Sequence, residues 1–589
     1  MKKILFLFAV IFTVVNGFSQ SQEIQANYKQ EFDNVYAHYP NIPDGILEAV
    51  AFTNTRVRHI FPEEEMPSCI GLPYYYGVMG LVADGKGYFR NSLDTIASLA
   101  EMLPQEIKNN PQKNIEAFAK SFDIVAQSLG INSNRPEDYI EVLRALSELP
   151  LTRHAQNDFA LNSHLYMVFR ILNDVEFQVV YGLPAYNIDI RLVFGAGNYG
   201  VLSATQIDIE NDSLKSNTGQ IYQVSSGTAK ALCNMPTGPN EYPTAIWDAA
   251  DASNYSGTIS PYTVAIHTVQ GSYAGAISWF KNPSANVSAH YTVRSYDGQV
   301  TQQVCHTRKG WHVASENAAA VGIEHEGYIN DGDTWYSNAL YLSSANLTTF
   351  ICNDRGIDML QCYDGEGING ILTLSHTCHK IKGHQSFAGN SHVDPGEEWD
   401  WERYYRLLNG TPPLTNSSTA SSGTMYDSGG SVGNYADEER TSYSINPTGT
   451  APVQLTFSNW NVESGWDYLW IYEGTDNTGS LIGKYSGTSP GLVTAWSGQV
   501  FMEFRSDCST NMGGWQVDWT TISVPICVVP TGLMEVFVTP MSAELGWDVV
   551  SGATDYKVRY KSTQETNWTE VYTTGNTLEI TGLISNDMY

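Results

Sequence analysis

The sequence predicts a multidomain protein with an α-helical N-terminal domain, an α/β domain around a central mixed sheet, and C-terminal β-sandwiches. Three observations carry that prediction. At 589 residues the chain is too long for one core and suggests about three to five domains. Its apolar pattern changes twice, from helical spacing to strands alternating with helical stretches, and then to short alternating strands. Asn409 to Gly423 (NGTPPLTNSSTASSG) has the Ser, Thr, Pro and Gly content of a linker.

The first twenty residues, MKKILFLFAVIFTVVNGFSQ, place Lys2 and Lys3 before the mostly apolar run Ile4 to Val15. This is the pattern of a secretory signal peptide over 1–20, so the chain is expected to be exported. No Cys follows the apolar run, which argues against a lipoprotein anchor, and no later stretch approaches about 18 uninterrupted apolar residues. Residues 25–150 read as helices: Ile46, Leu47, Val50 and Ala51 are helically spaced, as are Ile115, Phe118, Ala119 and Phe122. Residues 151–241 turn towards strands, with FQVVYGL and IDIRLVF as apolar or alternating runs. The α/β domain is expected over 242–408 and the linker over 409–424. An all-β unit follows over 425–523, with VQLTFSNW, DYLWIYEG and VFMEFRSD as strands, and a second over 527–589, with AELGWDVV and YKVRY.

Hydrophobic content of 42% with 16% charged residues describes folded material. A net charge of −30 argues against nucleic acid or an anionic membrane surface as partner, since both need a basic footprint. Eight cysteines in an exported chain permit disulfides, but spacing does not give their connectivity. His376-Thr-Cys378-His379 has adjacent metal-ligand types, yet adjacency does not close a tetrahedron and no second half is evident.

The chemistry concentrates between residues 258 and 406. His267 sits in the β-branched strand TVAIHTV, His384 follows Gly383, and Asp394 lies in a loop ten residues later. Two neutral imidazoles and a carboxylate make a three-ligand zinc site with its fourth position open for water. Glu324, a separate carboxylate in VGIEHEGY, is then the candidate general base. Any one of these histidines alone is better read as a satisfied core residue. The ordered set points to zinc-dependent amide hydrolysis.

These segments resemble the zinc-dependent N-acetylmuramoyl-L-alanine amidase family, which includes the peptidoglycan recognition proteins, over about residues 242–408. The matches are Ile266-His267-Thr268, Gly322-Ile323-Glu324, the Gly383-His384 pair and Asp394-Pro395-Gly396. The resemblance implies cleavage of the bond between N-acetylmuramic acid and L-alanine in peptidoglycan or muropeptides, with His267, His384 and Asp394 as zinc ligands. Where many members carry Lys two residues before the third ligand, this chain has His392. His392 is thus the candidate oxyanion stabiliser, with a more acid-sensitive pH profile expected. His290, Trp311 and His312 match positions near the substrate groove, with packing roles as the alternative. Glu326, on the same strand face as Glu324, reads either as a substrate contact or as a supporting carboxylate.

Other parts also resemble known families. IPDGILEAVAFTNTR and YYYGVMGL are similar to the lytic transglycosylase or goose-type lysozyme fold, but Asn54 stands at the position of its catalytic Glu. An amide cannot supply the proton that glycoside cleavage needs, so a degenerate, glycan-binding domain is expected. DSGGSVGNY, ESGWDYLWIYEG and FRSDCSTNMGGWQVDW resemble a CUB domain, with Asp467 and Asp507 as candidate calcium ligands and Glu439 as a poor third. Residues 527–589 resemble a fibronectin type III repeat that stops before its last strands, with Trp547, Tyr556 and Leu583 at core positions. Both C-terminal units are candidates for glycan or surface binding. The alternatives to an amidase are a peptidoglycan-binding receptor without turnover, and a bifunctional lytic enzyme.

Overall fold

The computed structural model describes residues 26–583 except 62–64, 152–154, 204–206, 211–212, 217–240, 450, 523–529, 540, 551–552, 554 and 563–567. The signal peptide expected over 1–20 lies outside the described residues. Among the described residues no helix is long and apolar enough to cross a membrane.

The N-terminal part is helical, and it extends further than its sequence suggests. Helices α1 (Ile46–Thr55) and α2 (Pro111–Ser128) are followed by α3 (Ala155–Leu172), α4 (Val175–Tyr181) and α5 (Ile190–Leu202). Among its described residues the expected β-rich region 151–241 is therefore largely helical, with the short strands Ile207–Glu210 and Ser213–Ser216 as its β structure. The FQVVYGL run is helical because Asp174 caps it, its carboxylate accepting from the Phe177 N–H at 3.1 Å, and Gly182 closes it in the left-handed conformation. Asp189 caps α5 likewise, accepting from the Leu192 N–H at 3.0 Å. A short apolar run does not distinguish strand from helix, and here the caps decide.

The central unit is a six-stranded mixed sheet. Its strands are β1 (Ile246–Trp247), β2 (Thr263–Thr268), β3 (Tyr291–Val293), β4 (Val300–Gln302), β5 (Ala320–His325) and β6 (Ile381–Gly383), in spatial order β6-β2-β5-β3-β4-β1. The β6, β2, β5 and β3 strands run parallel, and β4 pairs antiparallel with β3. Helices α6 (Tyr273–Trp279), α7 (Asn338–Arg355) and α8 (Trp401–Asn409) accompany it. Strands β2 and β5 are buried at every position, as expected for parallel strands covered on both faces. The helical and α/β parts share one apolar core: Leu47, Leu72 and Phe118 belong to the same buried cluster as Val269, Ala276 and Trp279.

The expected linker 409–424 is instead the start of the next domain. Leu414–Ser418 pairs with Arg440–Ile445, and Ser422–Tyr426 pairs with Gly514–Thr521, so both belong to a sandwich of five- and four-stranded sheets. Both strands lie at sheet edges, where exposed Ser and Thr are tolerated and the composition resembles a linker. This sandwich is tied to the α/β unit by the Cys378–Cys508 disulfide, by Arg505–Asp364 at 3.0 Å and by Arg406–Glu503 at 2.5 Å. The bridge takes Cys378 out of any metal site at His376-Thr-Cys378-His379. The last unit is also β, with Trp547 buried and Tyr556 edge-on to it at 5.4 Å.

Asn54 is buried in α1, its amide donating to the Met79 carbonyl at 2.9 Å. Glu48, on the same helix, is buried against the Tyr36 hydroxyl at 2.5 Å, and burial raises its carboxyl to about 7. A carboxyl raised in the fold favours folding while it is protonated, so stability falls as pH rises from its ordinary value near 4.5 to about 7. Glu48→Gln is expected to stabilise the protein at pH 8, by at most about 3 kcal/mol, with the gain vanishing near pH 4. Thermal unfolding of both proteins across that range measures it.

Candidate metal centre

Strand register assembles the site. Glu324 on β5 pairs with His267 on β2, and Gly383 on β6 pairs with Ile266, so His384 follows directly beside His267. Three neighbouring parallel strands therefore deliver His384, His267 and Glu324 to one edge of the sheet, at the C-terminal ends of the strands. Asp394 returns to this row through a loop fixed by Gln385, whose N–H donates to the Asp394 carbonyl at 3.0 Å and whose side-chain oxygen accepts from the Gly396 N–H. Gly383 is needed for that return, since a Cβ there would lie 2.6 Å from Pro395 Cδ.

The Asp394 carboxylate lies 3.1 Å from His267 Nδ1 and 3.0 Å from His384 Nδ1. Ligands held about 2.0–2.1 Å from one tetrahedral zinc are about 3.3 Å apart, so this donor set matches zinc in kind and spacing. All three residues are buried. Burial, and then His384, hold His267 down to about 4, so its ring is neutral as a metal ligand must be. Burial works to raise Asp394, but His384 and His267 outweigh it and keep the carboxylate well below its usual range. Glu324 stands 3.9 Å from His267 Nδ1, fully buried, with its carboxyl pushed well up by burial and then by Asp394.

Residues 257–397 match the family model described as N-acetylmuramoyl-L-alanine amidase. The chain is 44% identical over 169 residues to N-acetylmuramoyl-L-alanine amidase A of Achromobacter lyticus, covering 28% of this chain and 94% of that protein. The chain belongs to the N-acetylmuramoyl-L-alanine amidase family. It is also 29% identical over 126 residues to the 1,6-anhydro-N-acetylmuramyl-L-alanine amidase AmpD of Haemophilus influenzae, covering 20% of this chain and 56% of that one. The structure of the catalytic domain of XlyA is 19% identical, with TM-score 0.20, over 28% of this chain and 98% of that domain. Residues 414–519 match the CUB domain model.

Around the amidase centre, the other sequence-predicted residues separate. His392 is half-buried and its ring stacks on His384 with centroids 5.1 Å apart. Burial, and then His384, hold it below the ordinary imidazole value, so it is neutral at pH 7 and offers one N–H. The acid sensitivity expected of a titrating His392 is thereby moved to lower pH. His312 lies behind the ligands, with Nδ1 3.1 Å from His267 Nε2. Gly322 makes room for it, since a Cβ there would fall 2.5 Å from that same Nδ1.

His290 is wholly buried and uses both ring nitrogens, accepting from the Gly322 N–H and donating to the Arg308 carbonyl, each at 3.0 Å. It takes the packing role rather than a place in a groove. Trp311 donates to Ser256 Oγ at 3.2 Å, beside the strand pairing of Arg308–Gly310 with Tyr255–Thr258. Glu326 accepts from the Tyr273 and Ser295 N–H groups, each at 2.9 Å, and so supports the start of α6 rather than substrate.

Two contributors escaped sequence reasoning. Cys69 of the N-terminal part groups with His267, His384 and Asp394, all four ligand atoms lying within 4.8 Å of one another. Nothing in its sequence neighbourhood signals this. In the CUB unit, Asp467 and Asp507 group with Glu463, whose Oε2 is buried without a hydrogen-bond partner. Glu463 was available in the ESGWDY motif. Glu439 faces elsewhere, accepting from Ser428, Ala436 and Thr441.

Truncating a supporting residue behind a metal ligand costs about 10–100-fold in affinity. His312→Ala is expected to weaken zinc binding by that factor, read in a chelator competition. An unchanged affinity would remove His312 from the site.

Proposed function

We propose that this chain is an exported zinc hydrolase in which His267, His384 and Asp394 hold the metal and Glu324 is the general base. Membership of the family gives the reaction: hydrolysis of the amide between N-acetylmuramic acid and L-alanine in peptidoglycan. The observation that carries the zinc reading is the convergence of two buried imidazole nitrogens on one carboxylate at zinc-ligand spacing. Bound zinc supplies Lewis acidity, polarising the carbonyl and making a water nucleophilic near neutral pH. Glu324 takes the proton from the attacking water and passes it to the departing L-alanine nitrogen. Burial and then Asp394 push its carboxyl up, and the positive charge of a bound metal would offset that and favour the ionised form that accepts the proton. The neutral His392 N–H donates to the oxygen that becomes negative as the tetrahedral intermediate forms. This full catalytic set favours turnover over a receptor that only binds.

Export rests on the Lys-then-apolar leader and on the Cys378–Cys508 disulfide, which suits an oxidising compartment. The helical N-terminal part, with Asn54 in place of an acid, serves as a wall-holding module of lysozyme-like ancestry. The β unit after residue 527 is fibronectin-like. In the CUB unit Glu463, Asp467 and Asp507 take calcium; burial raises Asp467 to about 7, a cost that a cation would offset. Millimolar calcium is expected to raise the melting temperature of the wild type but not of Asp467→Asn. Equal melting shifts in both proteins would exclude this site.

Mass spectrometry of purified muropeptides incubated with the zinc-loaded protein tests the main reading. Free stem peptide and lactyl-bearing glycan are expected. Glu324→Ala should lower kcat about 10²–10⁴-fold, and His392→Ala about 10²–10³-fold, each with zinc content retained. Intact muropeptide from every variant despite bound zinc would refute it.

A further inference from the structure

We propose that Cys69 is a fourth ligand to the amidase zinc and that the segment carrying it, Met66 to Leu72, holds the enzyme latent. The inference rests on the zinc reading above and extends it to regulation.

A catalytic zinc site keeps one position open, whereas a closed four-ligand site is the structural kind. Here the fourth donor comes from the helical N-terminal part. Cys69 Sγ lies 3.6 Å from Glu324 Oε1 and 3.8 Å from the Thr268 carbonyl, and it groups with all three metal ligands. The thiol therefore occupies the space between the general base and the metal donors, where the attacking water and the scissile carbonyl have to sit.

Its placement is built rather than incidental. Ser68 to Gly71 form a tight turn, with the Gly71 N–H donating to the Ser68 carbonyl at 3.0 Å and Gly71 at φ +75°. Cys69 stands at the tip of that turn. On either side the segment is tied to the residues that follow β2. Gln270 donates to the Met66 carbonyl at 3.0 Å, Ser68 Oγ donates to the Val269 carbonyl at 2.5 Å, and the Trp279 indole donates to the Ile70 carbonyl at 2.7 Å. Leu72 fills a notch that exists because residue 271 is glycine, where a Cβ would lie 2.9 Å from Leu72 Cδ1. With the segment in place, His267, His384, Asp394 and Glu324 are all buried beneath it.

In the latent state the thiol binds as thiolate and releases its proton, adding one metal–sulfur bond to the His267, His384 and Asp394 set. Activation is the reverse: the segment lifts, the thiolate leaves and is reprotonated, and water takes the vacated position. Because the donor is on the same chain, the latent state persists at any protein concentration and yields only when the segment is displaced or the thiol is blocked.

Cobalt substitution of the full-length protein tests this, because a thiolate ligand gives cobalt(II) a near-ultraviolet charge-transfer band that nitrogen and oxygen ligands lack. The wild type is expected to show that band. Cys69→Ser should lose it while keeping the visible cobalt bands, and should cleave muropeptides at least about tenfold faster as the open fraction rises. Cys69→Ala serves as a second variant and should behave alike. Visible bands without the charge-transfer band in the wild type, with equal activity in all three proteins, would overturn the switch and leave the amidase reading intact. Absence of any cobalt spectrum in all three would overturn both.

Discussion

Everything at this centre depends on the register of three parallel strands. Pairing Glu324 with His267, and Gly383 with Ile266, sets Glu324, His267 and His384 in a row before any side-chain contact is considered. A slip of one residue on β5 would turn Glu324 to the opposite face and bring His325 forward. His325 instead holds the register from behind, its ring nitrogens engaging the His267 carbonyl at 2.8 Å and Ser344 Oγ at 2.7 Å. Asp394 then joins two charge-sensitive rings to one carboxylate, in a burial that zinc would relieve by supplying positive charge.

The centre was legible in the sequence because each part sits in a short local motif with its own physical reason. Gly383 permits the approach of Pro395, Gly322 permits that of His312, and the β-branched run around His267 marks a buried strand. The supporting shell was less legible. His290, His312 and Glu326 are chemically equal to site residues in a linear string, and only their hydrogen-bond partners assign them to packing, metal support and helix capping. The helices after residue 151 were misread because FQVVYGL is apolar and β-branched, and the capping residues Asp174 and Gly182 outweigh that propensity. The edge strands after Pro413 were misread for the opposite reason, since solvent-facing Ser and Thr look like linker.

Domain coupling was the least visible feature. The helical part and the amidase part share an apolar core, and the CUB unit is pinned to the amidase by a disulfide and part-buried ion pairs. Arg505 illustrates the joint: its guanidinium lies 3.9 Å above Trp470 of its own sheet and 4.6 Å from Tyr405 on α8, while pairing with Asp364. Cys69 reaches the His267, His384 and Asp394 group because the first domain is packed against the second.

The most direct test of the account is a crystal structure of the zinc-loaded protein with anomalous diffraction measured across the zinc absorption edge. The account predicts one strong peak bounded by His267 Nδ1, His384 Nδ1 and the Asp394 carboxylate, at about 2.0–2.2 Å from each. No peak there, or zinc held only elsewhere on the chain, would contradict it.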